Sequence, residues 1–390
     1  MDRGNFFRRT LSMLFFVSIM TFAAVSHAEI YIGEGSYCMS EGENLGVAKE
    51  RAKADAMRNA CEKAGTYVKS YSRARNFELE EDIIETMTAN ILKLIEEKYL
   101  PYEQLDNLEG LMIRIVIKVQ IDDSDITRWL NKDESEKSML VAQMEDMRKA
   151  NEEQAHQIEE LKRQLANNPQ DRKQITQKFE AADKFFLSNR KGEEGWKLYE
   201  KKDFNGAKNL FDEAIKINPN NYHAYNDRGN VYSDLGQYEL AIKDYNKAIE
   251  LNPYLSWPYL NRALVYRKLN KNELAIIDYN NALKIDPNFA SVYNSRAWMY
   301  CQQGKFEEAL IDVNKALELI PNEANYLDTR ACAYMGLKRY KDALSDMNRA
   351  IKLSFEGQYY NRRGEIYKLM GNEEKAQADF AKAKKLGYKG

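Results

Sequence analysis

Arginine and aspartate recur at matched positions in the second half of the 390-residue sequence. An arginine that faces an aspartate forms a structural ion pair, whereas a row of unpaired arginines could bind an acidic ligand. Both residue types are absent together from the preceding segment, which has Glu194 and Leu210 at the equivalent places. This matched occurrence favours structural pairs. The pairs are Arg228 with Asp244, Arg262 with Asp278, Arg296 with Asp312, Arg330 with Asp346, and Arg363 with Asp379.

Residues typical of enzyme active sites are sparse. The three histidines, His27, His156 and His223, do not form a cluster that could ligate a metal or supply a general base. Gly33-Glu34-Gly35 lacks the third glycine of a dinucleotide-binding loop, and the sequence has neither a phosphate loop nor a G-x-S-x-G motif. We therefore predict that the protein is not an enzyme and has no metal and no cofactor.

The sequence has four cysteines: Cys38, Cys61, Cys301 and Cys332. No C-x-x-C motif is present, so thiol–disulfide catalysis is not supported. Disulfides joining Cys38 to Cys61 and Cys301 to Cys332 are compatible with an oxidising compartment, and buried free thiols are the alternative. The sequence leaves both open.

The paired residues belong to a longer pattern that returns at a fixed interval, as from Tyr225 to Tyr259 and on to Tyr293. Small residues, aromatic residues and a proline keep their order through three consecutive steps. A fixed period of this length is typical of stacked helical units that bury their apolar faces against one another. The places are Tyr225, Gly229, Tyr232, Ala241, Tyr245, Ala248 and Pro253; Tyr259, Ala263, Tyr266, Ala275, Tyr279, Ala282 and Pro287; and Tyr293, Ala297, Tyr300, Ala309, Val313, Ala316 and Pro321.

This pattern resembles the tetratricopeptide repeat (TPR), whose units are antiparallel helix pairs in an all-α superhelix. The resemblance covers residues 188–390 and implies six units: 188–221, 222–255, 256–289, 290–323, 324–356 and 357–390. By analogy with the family, the first helix of each unit lines an inner groove that binds another protein or its peptide segment. The implied groove residues are Asn226, Asn230, Trp257, Leu260, Asn294 and Trp298, together with His223, Leu264 and Asp328. Packing between helices is the alternative role for Trp257 and Trp298.

The amino-terminal segment has the composition of a secretory leader. Arg3, Arg8 and Arg9 precede an apolar run from Leu11 to Val25, and Ser26-His27-Ala28 provides small residues before a cleavage site. We predict a signal peptide at residues 1–28 and an exported protein in the periplasm or cell envelope. An uncleaved leader that holds the protein at the membrane is the alternative.

Residues 29–125 are predicted to form a small α+β sandwich. The expected elements are a strand at Ile30, a helix to Ala64 that is capped by Ser40 and Glu43, and strands at 66–77, 91–99 and 111–121. With the Gly33-Glu34-Gly35 turn and Asp82-Ile83-Ile84, this order resembles the amino-terminal domain of FlgT and short envelope lipoproteins. The resemblance implies an exported envelope protein.

Residues 131–168 are rich in charged side chains and lack glycine. Alternating steps of three and four along them favour a coiled coil, and hence a homo-oligomer, over a single solvated helix that acts as a spacer. The seam comprises Leu140, Met144, Met147, Asn151, Gln154, Ile158, Leu161 and Leu165.

The overall charge gives no sign of nucleic-acid binding, because 58 basic and 60 acidic residues are mixed along the chain. We predict an exported adaptor or scaffold that binds a protein partner through its repeats. The alternatives are an envelope or flagellar assembly factor that docks through residues 29–125, and an enzyme with an unrecognised site in that segment.

Overall fold

The computed structural model describes residues 28–40, 43–74, 79–101, 103–104, 110–132, 134–167 and 172–389. The predicted leader, apart from Ala28, lies outside these residues. Within the described part, no helix is both long and apolar enough to cross a membrane.

The amino-terminal unit is an antiparallel sheet covered by a long helix. Its strands are β1 (Ala28–Ser40), β2 (Lys93–Tyr99), β3 (Glu103–Gln104) and β4 (Gly110–Asp122), and its helices are α1 (Leu45–Ala74), α2 (Glu81–Ile91) and α3 (Asp123–Leu130). The central strand β4 pairs with β1 along its whole length, from Ala28 opposite Asp122 to Ser40 opposite Gly110, and with β2 and β3 on its other side. The alternation predicted for 111–121 is confirmed, because Ile113, Ile115, Ile117, Val119 and Ile121 are all at most 1% exposed.

Two glycines allow helix α1 to lie directly on strand β1. A Cβ atom at Gly35 would stand 2.3 Å from the backbone nitrogen of Ala56, and one at Gly33 would stand 2.1 Å from the carbonyl oxygen of Ala56. On α1 the facing residues are alanines at intervals of four, including Ala52, Ala56 and Ala60, each fully buried. The segment from Gly33 to Gly35 is therefore strand and not the turn that the FlgT resemblance implied.

We expect Gly35→Ala to destabilise the amino-terminal unit by about 2 kcal/mol, because the new methyl group meets backbone atoms that cannot move aside. The matched control is Gly192→Ala, in a helix and with no atom within 4 Å of its Cβ position. That change should be neutral or slightly stabilising, since alanine favours helix over glycine. Urea unfolding of both variants tests this, and equal midpoints would contradict the close packing of α1 on β1.

Helix α1 is longer than predicted and begins later. The side chain of Asn44 caps it by accepting from the backbone of Gly46 at 2.8 Å, so the predicted cap at Ser40 is wrong. The helix continues to Ala74 because Ala64, Val68 and Ser72 extend the buried stripe by two further turns. The strand predicted at 66–77 is therefore wrong over 66–74, and the rest of it lies outside the described residues.

Cys38 and Cys61 lie too far apart for the disulfide that the sequence left open. Gly35 packs beside Ala56, and Cys61 follows Ala56 by more than one turn of the helix. Cys38 follows Gly35 along the strand in the opposite direction, so the Cα atoms of the two cysteines are separated by roughly 15 Å. A disulfide requires less than about 7 Å. Cys61 instead donates to the carbonyl oxygen of Glu85 at 3.9 Å.

Residues 134–167 form one helix, α4 (Glu134–Asn167), followed by α5 (Arg172–Glu200). Ile158 and Leu161 of the predicted seam pack against residues of α5, Ile175, Phe179 and Ala182. The side chain of Gln154 donates to the carbonyl oxygen of Ala182 at 2.7 Å. This part of the seam is thus covered by a helix of the same chain, and a coiled coil between chains is not shown. The side chains of Met144, Met147, Asn151 and Leu165 lie outside the described residues.

A buried charged cluster joins this helical hairpin to the amino-terminal unit. Arg51 of α1 lies 2.9 Å from Glu43 and 2.9 Å from Asp183 of α5, and these side chains are 6%, 0% and 10% exposed. The rings of Tyr37 and Phe186 each lie 5.4 Å from the Arg51 guanidinium. Burial and the nearby Glu43 raise the pKa of Asp183, while Arg51 opposes the shift. Arg51 therefore fixes α5 against the sheet unit.

The remainder of the described chain is a succession of antiparallel helix pairs, which confirms the predicted all-helical array. They are α6 (Phe204–Ile217), α7 (Tyr222–Asp234), α8 (Tyr238–Leu251), α9 (Ser256–Lys268), α10 (Asn272–Ile285), α11 (Ala290–Gln302), α12 (Phe306–Leu319), α13 (Ala324–Gly336), α14 (Tyr340–Leu353), α15 (Gly357–Leu369) and α16 (Glu373–Lys385). The boundaries of the six units remain a prediction. Small residues bring the helices together, as where Gly229 leaves room for the ring of Tyr245.

Candidate protein-binding groove

The recurring arginines tie the helices of the array together. Arg296 of α11 donates from Nε and Nη2 to both carboxylate oxygens of Asp312 on α12, at 2.6 and 2.7 Å. Asp312 is 4% exposed. Burial alone would lower the pKa of Arg296, but the bonds to Asp312 raise it, so the guanidinium keeps its charge. The same two-bonded pairs join Arg228 to Asp244, Arg262 to Asp278, Arg330 to Asp346, and Arg363 to Asp379.

Each of these arginines also has a third partner, which the sequence analysis missed. Nη1 of Arg296 donates to Oδ1 of Asn280, which lies on the second helix of the preceding unit. The ion pair therefore links neighbouring units as well as the two helices of one unit. The sequence did contain a sign of this contact, because the acceptor residues recur at the same interval as the arginines. The equivalent acceptors are Asp212 for Arg228, Asn246 for Arg262, Asn314 for Arg330 and Asn348 for Arg363.

Tyrosine rings flank the guanidinium groups. The rings of Tyr225 and Tyr232 lie 5.5 and 5.8 Å from the Arg228 guanidinium, and Tyr259 and Tyr266 lie 5.7 and 5.9 Å from that of Arg262. Stacking on aromatic faces and two-bonded contact with a carboxylate are properties of arginine that lysine lacks. The regular tyrosines of the sequence pattern thus serve the ion pairs in addition to filling the core.

Helices held in this way form an inner surface with a cavity of about 470 Å³. The cavity is lined by first helices of successive units, α11, α13 and α15, with Arg267 of α9 and Tyr388 at its ends. Amides, hydroxyls and one tryptophan converge there. The lining includes Asn294, Trp298, Asn325, Asp328, Asn361 and Arg362.

Arg362 lines the cavity and was also missed. Its guanidinium donates to both oxygens of Asp328, at 2.9 and 3.2 Å, and lies 5.5 Å from the ring centroid of Trp298. Burial alone would lower the pKa of Arg362, but its bonds to Asp328 raise it. Arg362 follows Asp328 by the interval that separates the earlier units, but the pattern of the last unit is shifted by one residue, so that the regular arginine there is Arg363.

The structure brings together only some of the predicted groove residues. Asn294, Trp298 and Asp328 line the cavity. The ring of Trp257 instead packs edge-on against Phe289 at 4.7 Å, and Leu260 is 2% exposed within the same core. Packing between helices therefore describes Trp257 and Leu260 better than a ligand contact does.

The two predicted asparagines of α7 have partners within the array. Asn226 is 8% exposed and accepts from Asn261 at 3.1 Å, and Asn230 accepts from the hydroxyl of Tyr245 at 2.9 Å. Leu264 also packs against the core. Burial lowers the pKa of His223 to about 4. None of these residues contributes to the lining of the cavity at α11, α13 and α15.

Comparison with family models identifies the helix pairs. Models described as tetratricopeptide repeat match residues 222–255, 256–289, 278–311, 324–356 and 357–386. This part of the chain consists of tetratricopeptide repeats. The matched segments begin where the arginine and aspartate series begins, and they include the three TPR helices that line the cavity. The resemblance of residues 29–125 to the FlgT amino-terminal domain is not supported.

Several solved structures are similar to part of this chain, at low sequence identity and with TM-scores below 0.5. The type IV pilus biogenesis factor PilW is 19% identical, with 51% of this chain and 93% of that chain covered and a TM-score of 0.48. The pilF protein of Pseudomonas aeruginosa is 16% identical, with 53% and 95% covered and a TM-score of 0.48. MamA is 21% identical, with 43% and 91% covered and a TM-score of 0.38. A search of curated proteins found no match.

Proposed function

We propose that this chain is a non-catalytic adaptor that binds an extended segment of another protein in the cavity lined by α11, α13 and α15. The observation that carries the proposal is the convergence of Trp298, Arg362 and amide side chains on one cavity, from the first helices of three successive units. Tryptophan and arginine are the residues most often found at the energetic centre of protein interfaces.

Each group in the cavity suits a peptide. The side chains of Asn294, Asn325 and Asn361 can both donate to and accept from a peptide backbone. The ring of Trp298 offers apolar area for a side chain, and Arg362 holds its guanidinium beside that ring while bonded to Asp328. Because Asp328 neutralises Arg362, the cavity does not select for a strongly acidic segment.

We also propose that the adaptor acts in the cell envelope, since residues 1–28 have the composition of a secretory leader. Binding of a protein segment requires a surface and no reacting groups. This agrees with the sparse histidines and with the scattered cysteines of the amino-terminal unit.

A peptide selected from a random displayed library on the full-length protein provides the probe. We expect Trp298→Ala to weaken its binding about 30-fold, the cost of about 2 kcal/mol that is typical of an interface tryptophan. Fluorescence anisotropy of the labelled peptide measures the affinity, and circular dichroism checks that the variant is folded.

Two variants serve as controls. Tyr254→Ala removes an aromatic ring that is 81% exposed and outside the cavity, and it should leave the affinity unchanged. Trp257→Ala should lower thermal stability, because it removes the contact with Phe289, but not affinity. Retention of full affinity by a folded Trp298→Ala protein would refute the assignment of the cavity as the binding site.

A further inference from the structure

Two cysteines from different repeat units meet beside the cavity. Cys301 lies in the last turn of α11 and is 7% exposed, while Cys332 lies in the middle of α13 and is partly exposed. The Sγ atom of Cys301 lies 3.8 Å from the carbonyl oxygen of Thr329, one helical turn before Cys332. Cys332 packs against the same buried cluster that contains Cys301, and each thiol is the largest influence on the pKa of the other.

The position of Cys332 in the repeat places it in the inner row of the array. It stands one repeat period after Trp298, and Glu365 occupies the corresponding place in the next unit, where the pattern is shifted. Trp298 and Glu365 both line the cavity. Arg362 and Asp328 are the charged groups that act most strongly on Cys332. Cys332 therefore lies close enough to the Arg362–Asp328 pair to feel its charges.

The environment makes the two thiols unequal. The neighbouring Cys301 thiol lowers the pKa of Cys332, and the Arg362 guanidinium also lowers it, against the opposing effect of burial and of the nearby carboxylates. The neighbouring Cys332 thiol and burial raise the pKa of Cys301. Cys332 is also partly exposed, whereas Cys301 is 7% exposed, so an oxidant reaches Cys332 first. Cys332 is therefore the attacking nucleophile, and Cys301 is the second thiol, which closes the disulfide.

We propose that Cys301 and Cys332 form a redox-active dithiol next to the binding cavity, which disulfide-containing oxidants convert into an intramolecular disulfide between α11 and α13. This site does not depend on which partner the cavity binds. It is a site of modification and not of catalysis.

The reaction balances in two exchange steps. The Cys332 thiolate attacks one sulfur of the oxidant disulfide, forms a mixed disulfide and releases the first thiolate of the oxidant. Cys301 then loses its proton and attacks Sγ of Cys332, which breaks the mixed disulfide and releases the second thiolate. The two protein thiols lose two electrons and two protons, and the oxidant disulfide is reduced to two thiols.

Oxidised glutathione is a suitable probe for the reduced full-length protein. After alkylation of the remaining thiols, peptide mass mapping should show a linked pair of peptides that contain Cys301 and Cys332. The variant Cys301→Ser should stop at a glutathione adduct on Cys332. The variant Cys332→Ser should react at Cys301 at least about tenfold more slowly, because its nucleophile is missing.

Cys61 is an internal control in the same experiment. Burial raises the pKa of Cys61 to about 12, and we expect it to stay reduced on the timescale of the Cys301–Cys332 reaction. The proposal is overturned if Cys301 and Cys332 are recovered alkylated while the oxidant is in excess. It is equally overturned if the two single variants react at the same rate.

Discussion

Replacing Arg51 by alanine should lower the free energy of unfolding by about 4 kcal/mol, because Arg51 balances two buried carboxylates, and removal of one partner of a buried pair costs about 3–5 kcal/mol. Asp183 and Glu43 each lie 2.9 Å from it and would lose this charge in a site that excludes water. The loss should appear first as separation of α5 from the amino-terminal unit. Urea unfolding followed by circular dichroism measures the free energy, and hydrogen exchange on α1 and α5 locates the change.

The effect of Arg51→Ala should depend on pH. Burial already raises the pKa of Asp183, and the loss of Arg51 raises it further, because Arg51 lowers it. A carboxyl whose pKa is higher in the folded state than in the unfolded state costs stability above its folded pKa. That cost disappears as the pH falls to the unfolded value, near about 4. The difference between wild type and variant should therefore be largest at neutral pH and should shrink in acid.

The matched control for Arg51 is Arg58→Ala on the same helix. Arg58 pairs with Asp55 but is 69% exposed, so its removal should change the free energy of unfolding by less than about 0.5 kcal/mol. Two outcomes would show that the charged cluster does not hold α5 to the sheet unit. One is equal stability of the two variants, and the other is a loss of stability in Arg51→Ala that does not vary with pH.

Replacing Arg296 by alanine should lower the free energy of unfolding by about 3 kcal/mol. Asp312, which is 4% exposed, would lose both of its hydrogen bonds to the guanidinium. Asn280 would also lose its contact, so the interface between two repeat units should weaken. In a stacked array, stability depends on the interfaces between adjacent repeats. Relative to wild type, hydrogen exchange in Arg296→Ala should therefore accelerate more on α10, α11 and α12 than on α15 and α16.

Two further variants refine the Arg296 prediction. Arg296→Lys keeps the charge but cannot form two parallel bonds to Asp312 or lay a planar guanidinium on the ring of Tyr293, so its stability should remain well below that of wild type. Lys315→Ala removes an exposed pair with Glu318, which is 69% exposed, and should be nearly neutral. Unchanged thermal unfolding of Arg296→Ala would contradict a structural role for all five pairs.

The sequence predicted the parts of the fold that depend on local repetition. The fixed period of the repeats predicted the helix pairs, and strict alternation from Leu111 to Ile121 predicted β4. The strand expected at 66–77 was wrong over 66–74. Tyr67 and Val68 have strand propensity, which favoured a strand. The segment is helical because Val68 continues the buried alanine stripe of α1. Propensity is a weaker guide than burial against a neighbouring element.

The candidate site was only partly predictable, because its central contact crosses unit boundaries. Trp298 was expected from its place in the repeat, but Arg362 comes from two units later, where the pattern shifts by one residue. The same shift hid the relation between Cys332 and Glu365. Covering of α4 by α5 could not be predicted either, since a seam of this kind accepts a helix from the same chain as readily as one from another.

Helix α5 packs against both the sheet unit and the first helix pair of the array. Asp183 faces the sheet unit through Arg51, and further along the same helix Gly195 packs beside Phe211 of the first helix pair. The helix is continuous between these two contacts. The rotation of the repeats about the axis of α5, relative to the sheet, is therefore set by the number of residues between Asp183 and Gly195. Each residue added or removed there would turn the array by about 100° about the helix axis and shift it by about 1.5 Å.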